Sequence, residues 1–85
     1  MYYYVYMLKC VSPLIKKTYV GYTNNIAKRL LKHNTSKGAK STKGLKWVVI
    51  YKKKFLNKSN AMSYEYQLKN NRKERLKILK KNNTI

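Results

Sequence analysis

Residues 2–9 are apolar at nearly every position: Tyr2, Tyr4, Tyr6 and Leu8 form one alternating set, and Tyr3, Val5 and Met7 the other. A strand that is apolar on both faces sits centrally in a sheet and is covered on both sides. Ser12-Pro13 breaks it. Lys-Thr-Tyr-Val-Gly-Tyr predicts a second strand at about 17–22, which makes residues 2–22 a hairpin with a medium loop. Thr23 is placed to N-cap a helix over about 24–34, where Ile26, Ala27, Leu30 and Leu31 recur at helical spacing. The stretch from Asn34 to Gly44 predicts a basic loop with two glycines and no core residue. Trp47-Val-Val-Ile-Tyr51 is β-branched and aromatic, as a third strand should be. Asn57 or Ser59 caps a second helix over about 60–70, and from Asn71 a basic tail offers Leu76, Leu79 and Ile78 to dock one side of a third. The order β-β-α-β-α-α predicts an α+β fold, a three-stranded antiparallel sheet flanked by helices. With no repeat and no linker, residues 1–85 read as one domain.

Size and charge change this picture. A chain of 85 residues buries only about 60–65% of the surface it exposes when unfolded, so each large apolar side chain is first a candidate for the core. Nine tyrosines against one Phe and one Trp fill that core with rings whose hydroxyls need partners. There are 21 Lys and Arg against two acids, Glu65 and Glu74, for a formal net charge of +19. Such an excess points to a polyanionic partner, nucleic acid above all, because cations that neutralise phosphates release condensed counterions. An anionic membrane surface is the runner-up, but it needs a strongly amphipathic basic helix, which the sequence lacks. An AT-rich genome would inflate Lys, Asn, Ile and Tyr, yet would not remove the acids. The single Cys10 excludes an internal disulfide. The apolar start has no basic n-region or cleavage site and is far short of the roughly 18 apolar residues of a membrane span, so a cytoplasmic or nucleoid-associated protein is expected.

The most specific signal is a spacing pattern. Tyr4-Val5-Tyr6 on the first strand is followed by Tyr19-Val20-Gly21 on the second. Arg29 and His33 then lie four apart on a helix, and Glu65 sits in a later one. Together with the Lys-Gly-Ala-Lys loop and Tyr-Glu-Tyr-Gln-Leu-Lys, this ordered set resembles the GIY-YIG endonuclease family, most closely its short single-domain branch. It is also similar to the nuclease domain of structure-selective branch-cutting nucleases. The resemblance covers residues 2 to about 75 and implies catalytic roles for Tyr6, Tyr19, Arg29, His33 and Glu65, with Gly21 closing the second triplet. Two departures stand out: Tyr4 occupies the place of the name-giving Gly, and the late Asn of longer members has no counterpart. The extra DNA-binding modules of those members are also missing, which leaves substrate selectivity open.

These residue types suit phosphodiester hydrolysis. Glu65 could hold one Mg²⁺ (or Mn²⁺), an ion that takes one or two carboxylates and keeps several waters, for Lewis-acid work at the phosphate. Arg29 offers a planar fork to the phosphate. The resemblance makes Tyr19 the general base. A free phenol with a pKa near 10 is a poor base at neutral pH unless cations stabilise its phenolate. Tyr6 and His33 would orient water or relay its proton. Lys37, Lys40 and Lys43 on the loop, with Arg29, are candidates for backbone phosphates, contacts that position a duplex without reading its sequence.

Simpler explanations exist for each residue alone: a strand Tyr is usually core, Arg29 and His33 could mark a solvated helix edge, and Glu65 could pair with a lysine. Ala61 and Leu68, at i−4 and i+3, place Glu65 at the border of an apolar stripe. Glu74, inside Arg72-Lys73-Glu74-Arg75, reads as local ion pairing. His33 and Cys10 supply only two of the four ligands of a zinc site. The Gly38–Gly44 loop lacks the Gly-Lys-Ser/Thr spacing of a phosphate-binding loop and precedes a strand. Two functions remain: a metal-dependent DNA endonuclease, structure-selective and serving repair or recombination, or a catalytically inactive basic nucleic-acid-binding module. Glu65 favours the first, since a lone acid in a field of positive charge weakens phosphate binding unless a metal neutralises it.

Overall fold

The computed structural model describes residues 1–12, 14–38 and 40–82, with Ser41 and Asn82 described by their backbone alone. Pro13, Ala39 and residues 83–85 lie outside the described residues, and with them the proline expected to break the first strand. Strand β1 (Tyr3–Cys10) is central, as its two apolar faces require. It pairs antiparallel with β2 (Thr18–Thr23) on one side and with β3 (Trp47–Phe55) on the other, giving the order β2-β1-β3. The elements follow one another as β1, β2, α1 (Ile26–Asn34), β3, α2 (Lys58–Lys69) and α3 (Arg72–Asn82), with one short 3₁₀ turn at Lys40–Thr42 before β3. The architecture is the expected α+β one.

The alternation of β1 divides the interior in two. Val5 and Met7 join Val20, Ala61, Leu68 and Ile78, so α2 and α3 close that face. Tyr6, Leu8 and Cys10 point the other way and pack with Trp47, Ile26 and Leu30, so α1 closes the second face. On β3, Met7 opposes Tyr51 and Leu8 opposes Val49, leaving Ile50 as an extra residue. This bulge lets Ile50 and Tyr51, neighbours in sequence, both pack on the α2–α3 face.

Several boundaries differ from the sequence expectation, each for a local reason. Thr23 does not cap α1: its Oγ1 accepts from the Asn25 amide (3.1 Å), and the Asn25 side chain is the cap, accepting from the Lys28 amide. Of the two candidates for α2, Asn57 is the cap, accepting from the Asn60 amide at 2.8 Å. Strand β3 runs past Tyr51 through three exposed lysines, because the cations find aromatic faces. Lys53 Nζ lies 4.8 Å from the Tyr64 ring centre, and Lys54 Nζ 4.0 Å from that of Tyr2. In α3, Ile78 is the buried anchor with Leu79 packed beside it, whereas Leu76 is half exposed. Arg75 ties α3 to α2, its Nη1 donating to the carbonyls of Leu68 (2.8 Å) and Lys69. The loop before β3 is also more built than expected: Thr42 is fully buried.

Candidate active site

The site grows from a packing exception on the α1 face. Tyr6 and Gly21 are cross-strand partners, and Tyr19 and Leu8 are the next pair along. A Cβ on Gly21 would stand 2.5 Å from Tyr6 Oη and 2.9 Å from Tyr19 Cε2. The missing side chain therefore creates the room into which both phenols lean. Helix α1 then brings His33 down on the pair. The Tyr19 and His33 ring centres are 4.8 Å apart, those of Tyr6 and His33 6.0 Å, and those of Tyr6 and Tyr19 6.2 Å.

Polar atoms of this cluster form a chain into the protein. Tyr6 Oη is 3.0 Å from His33 Nε2, and His33 Nδ1 is 2.9 Å from Thr42 Oγ1. All three side chains are buried. Burial holds the His33 imidazole below the usual histidine range, and the charge of Arg29 lowers it further. Burial pushes the Tyr6 phenol up to about 12, against the opposing hydrogen-bonding influence of Arg29; the charges of Tyr19 and Glu65 add to the rise. At neutral pH the chain is therefore an uncharged imidazole between two intact hydroxyls.

Arg29, one turn before His33, extends to the open side of the cluster. Its guanidinium interacts with the Tyr6 hydroxyl and more weakly with that of Tyr19, and this raises its own already high pKa. Its Nε is buried without a hydrogen-bond partner. Arg29 also lines a shallow depression with Asn24, Asn25, Lys28 and Lys32. Its helix edge thus joins the tyrosines to a basic surface.

Glu65 arrives from α2, on the border of the Ala61–Leu68 stripe, with its side chain 17% exposed. Lys69 Nζ is 3.6 Å from Glu65 Oε1 and 6.0 Å from the Tyr19 ring centre. Helical spacing of four residues from Glu65 is the signal in the sequence that marks Lys69. Among the described residues no three His, Cys, Asp or Glu side chains gather into a metal-binding group. The Glu65 carboxylate does suit a hard divalent ion. It is an oxygen donor, partly open to solvent, held by one long contact to a lysine, and Mg²⁺ characteristically takes few protein carboxylates.

Sequence reasoning also missed the shell around His33. Gly38 passes so close that a Cβ there would be 2.5 Å from His33 Nδ1. Trp47 Nε1 donates to the Thr42 carbonyl at 3.0 Å. The Asn34 side chain brackets the Trp47 backbone, accepting from its amide and donating to its carbonyl. Glycine in a polar loop suggests freedom rather than close approach, and nothing in a string of Lys, Ser and Thr marks which hydroxyl is buried. Lys37, Lys40 and Lys43 are exposed on this loop.

Known proteins resemble this chain along most of its length. The family model of the GIY-YIG catalytic domain matches residues 2–82. A UPF0213 protein of Oceanobacillus iheyensis is 49% identical over 78 residues, spanning 89% of this chain and 87% of the relative. One from Staphylococcus haemolyticus is 42% identical over 78 residues, spanning 89% and 92%. The solution NMR structure of a UPF0213 protein from Bacillus halodurans is 32% identical, covers 94% of this chain and 84% of that one, and matches with a TM-score of 0.52.

Proposed function

The chain belongs to the GIY-YIG catalytic-domain family, a nuclease family, and from that premise we propose that it is a divalent-metal-dependent DNA endonuclease. It selects its substrate by shape rather than base sequence and acts in DNA repair or recombination in the cytoplasm. The observation that carries this reading is the grouping of Tyr19 and Arg29 around a buried Tyr6–His33 pair, with Lys69 lying between the Tyr19 ring and the Glu65 carboxylate.

Tyr19 takes the proton of the attacking water as a phenolate and becomes the neutral phenol, with Arg29 and Lys69 supplying the positive charge beside it. Arg29 presents its guanidinium to the scissile phosphate as negative charge shifts toward the leaving oxygen. Glu65 would hold Mg²⁺ or Mn²⁺, which when bound supplies Lewis-acid stabilisation of the phosphate and leaving oxygens. Tyr6 and His33 are buried and stay uncharged at neutral pH, so they position Arg29 and Tyr19 rather than carry charge. Lys37, Lys40 and Lys43 take backbone phosphates on either side of the cut.

The test is cleavage of labelled linear duplex, single strand, flap and four-way junction with Mg²⁺, Mn²⁺ or EDTA. Glu65→Ala and Tyr19→Phe should each lower the rate by at least about a hundredfold, while Glu65→Ala binds DNA as well or slightly better. Cleavage retained by Glu65→Ala would remove Glu65 from the mechanism. Salt-sensitive binding to every DNA without cutting under any metal would favour the inactive binding module. If about six phosphates are contacted, log affinity should fall against log salt with a slope near −5; a slope near zero would sink both nucleic-acid readings.

A further inference from the structure

We propose that Thr42 is a positioning residue for the cleavage reaction: its hydroxyl accepts the His33 Nδ1 proton and so fixes the tautomer whose Nε2 accepts from Tyr6. The loop between α1 and β3 would then do more than carry lysines toward DNA. It would supply the far end of the hydrogen-bond chain on which the reactive face rests.

The argument starts from donors and acceptors. A neutral imidazole has one of each, and both ring nitrogens of His33 are engaged, Nε2 by Tyr6 at 3.0 Å and Nδ1 by Thr42 at 2.9 Å. Arg29 carries only donors, and its guanidinium interacts with the Tyr6 hydroxyl. Beside that positive charge the phenol's lone pairs face outward, and its own hydrogen turns inward to His33 Nε2. The imidazole proton must then lie on Nδ1, and Thr42 Oγ1 is the atom there to receive it. The reverse tautomer would aim the Nε2–H and Arg29 at one phenol oxygen, and the Tyr6 hydrogen would lose its buried acceptor.

Thr42 is held for this task from both sides. It is fully buried at the end of the Lys40–Thr42 turn, and Trp47 Nε1 binds its carbonyl at 3.0 Å. Gly38 closes over His33 with no space for a Cβ, so the ring cannot swing away from the hydroxyl. The backbone that carries the hydroxyl is thus anchored apart from its contact with His33. Lys40 and Lys43 flank it in sequence and are exposed, so phosphate contacts on this turn act on the segment that orients the imidazole.

His33 is the only histidine, which makes the test direct. Long-range ¹H–¹⁵N spectra of ¹⁵N-labelled protein report which ring nitrogen carries the proton. Wild type and Thr42→Ser should show it on Nδ1; Thr42→Val should move it to Nε2 or give a mixture. In parallel, Thr42→Val should lower the single-turnover cleavage rate about tenfold, the low end of the effect of losing a partner that orients a metal-bound histidine. DNA affinity should not change, and Thr42→Ser should restore the rate. A wild-type proton on Nε2, or a Thr42→Val spectrum like that of wild type, would overturn the assignment. The rate comparison rests on the nuclease reading, whereas the spectra do not. A wild-type protein that cuts no DNA would refute the nuclease while the spectra still decide the role of Thr42. Should Thr42→Val fail to fold, the wild-type spectrum and the Thr42→Ser rate decide it.

Discussion

Val5 and Met7 leave β1 toward Val20, Ala61, Leu68 and Ile78, an interior of aliphatic side chains. Tyr6, between them in sequence, leaves toward Gly21, Tyr19 and His33. Each face also holds a pair of buried or half-buried polar rings, and the pairs differ in the same sense. On the α2–α3 face Tyr51 and Tyr64 join hydroxyl to hydroxyl at 2.8 Å. Burial, followed by the bond to Tyr51, drives the Tyr64 phenol well above the usual tyrosine range. On the α1 face the Tyr6–His33 pair continues, inward to Thr42 and outward to Arg29. A polar pair that closes on itself adds stability. One that ends on a partly exposed guanidinium can transmit position to chemistry. The small domain keeps the two pairs apart on opposite faces of its central strand.

That separation can be broken from either side. The largest expected effect is on stability: Met7→Ala should cost about 2–5 kcal/mol, the range for truncating a buried Met. Urea unfolding measures it, and the cleavage rate per folded molecule should hold; a rate that falls while the protein remains folded would mean the faces are coupled. Gly21→Ala comes next, at about 1–3 kcal/mol for overpacking, because the new methyl meets Tyr6 Oη. Here the rate should drop in the folded protein as both tyrosines shift, and an unchanged rate would dissociate their packing from function. Tyr64→Phe should cost about 1 kcal/mol, the net worth of one hydrogen bond, and leave cleavage and its pH profile untouched.

The smallest signal is a pH slope. His33 has a lowered pKa in the fold, so the unfolded chain binds the proton first as pH falls below about 6.5. Stability should be fully present above that value and decline as pH drops toward the lowered folded pKa. With one histidine in the chain, His33 is the imidazole that this window reports. Urea midpoints between pH 5 and 7.5 should slope in wild type and flatten in His33→Gln. A flat wild-type curve would contradict a buried neutral imidazole.

Much of this was legible beforehand because it follows from period and spacing. The doubly apolar β1 announced a central strand, and Ala61 and Leu68 placed Glu65 at a helix border, which its partly covered carboxylate reflects. What escaped notice lay in segments without a period. Thr23 and Asn25 are both good caps, and only the path of the chain out of β2 chose between them. The lysines after Tyr51 looked like the end of a strand, because the rings that accept them come from residues 2 and 64, distant in sequence.

The sequence by itself determined the element order, the two-faced central strand, the family and the set of side chains offered for chemistry. These depend on local alternation, helical spacing and residue type, which survive without knowledge of long-range contacts. The tertiary structure decided which hydroxyl meets His33, why residues 21 and 38 must be glycine, and that Tyr6 and His33 are buried. Such facts depend on ångström-scale approach between segments far apart in the chain, and burial alone makes one threonine in a polar loop differ from its neighbours.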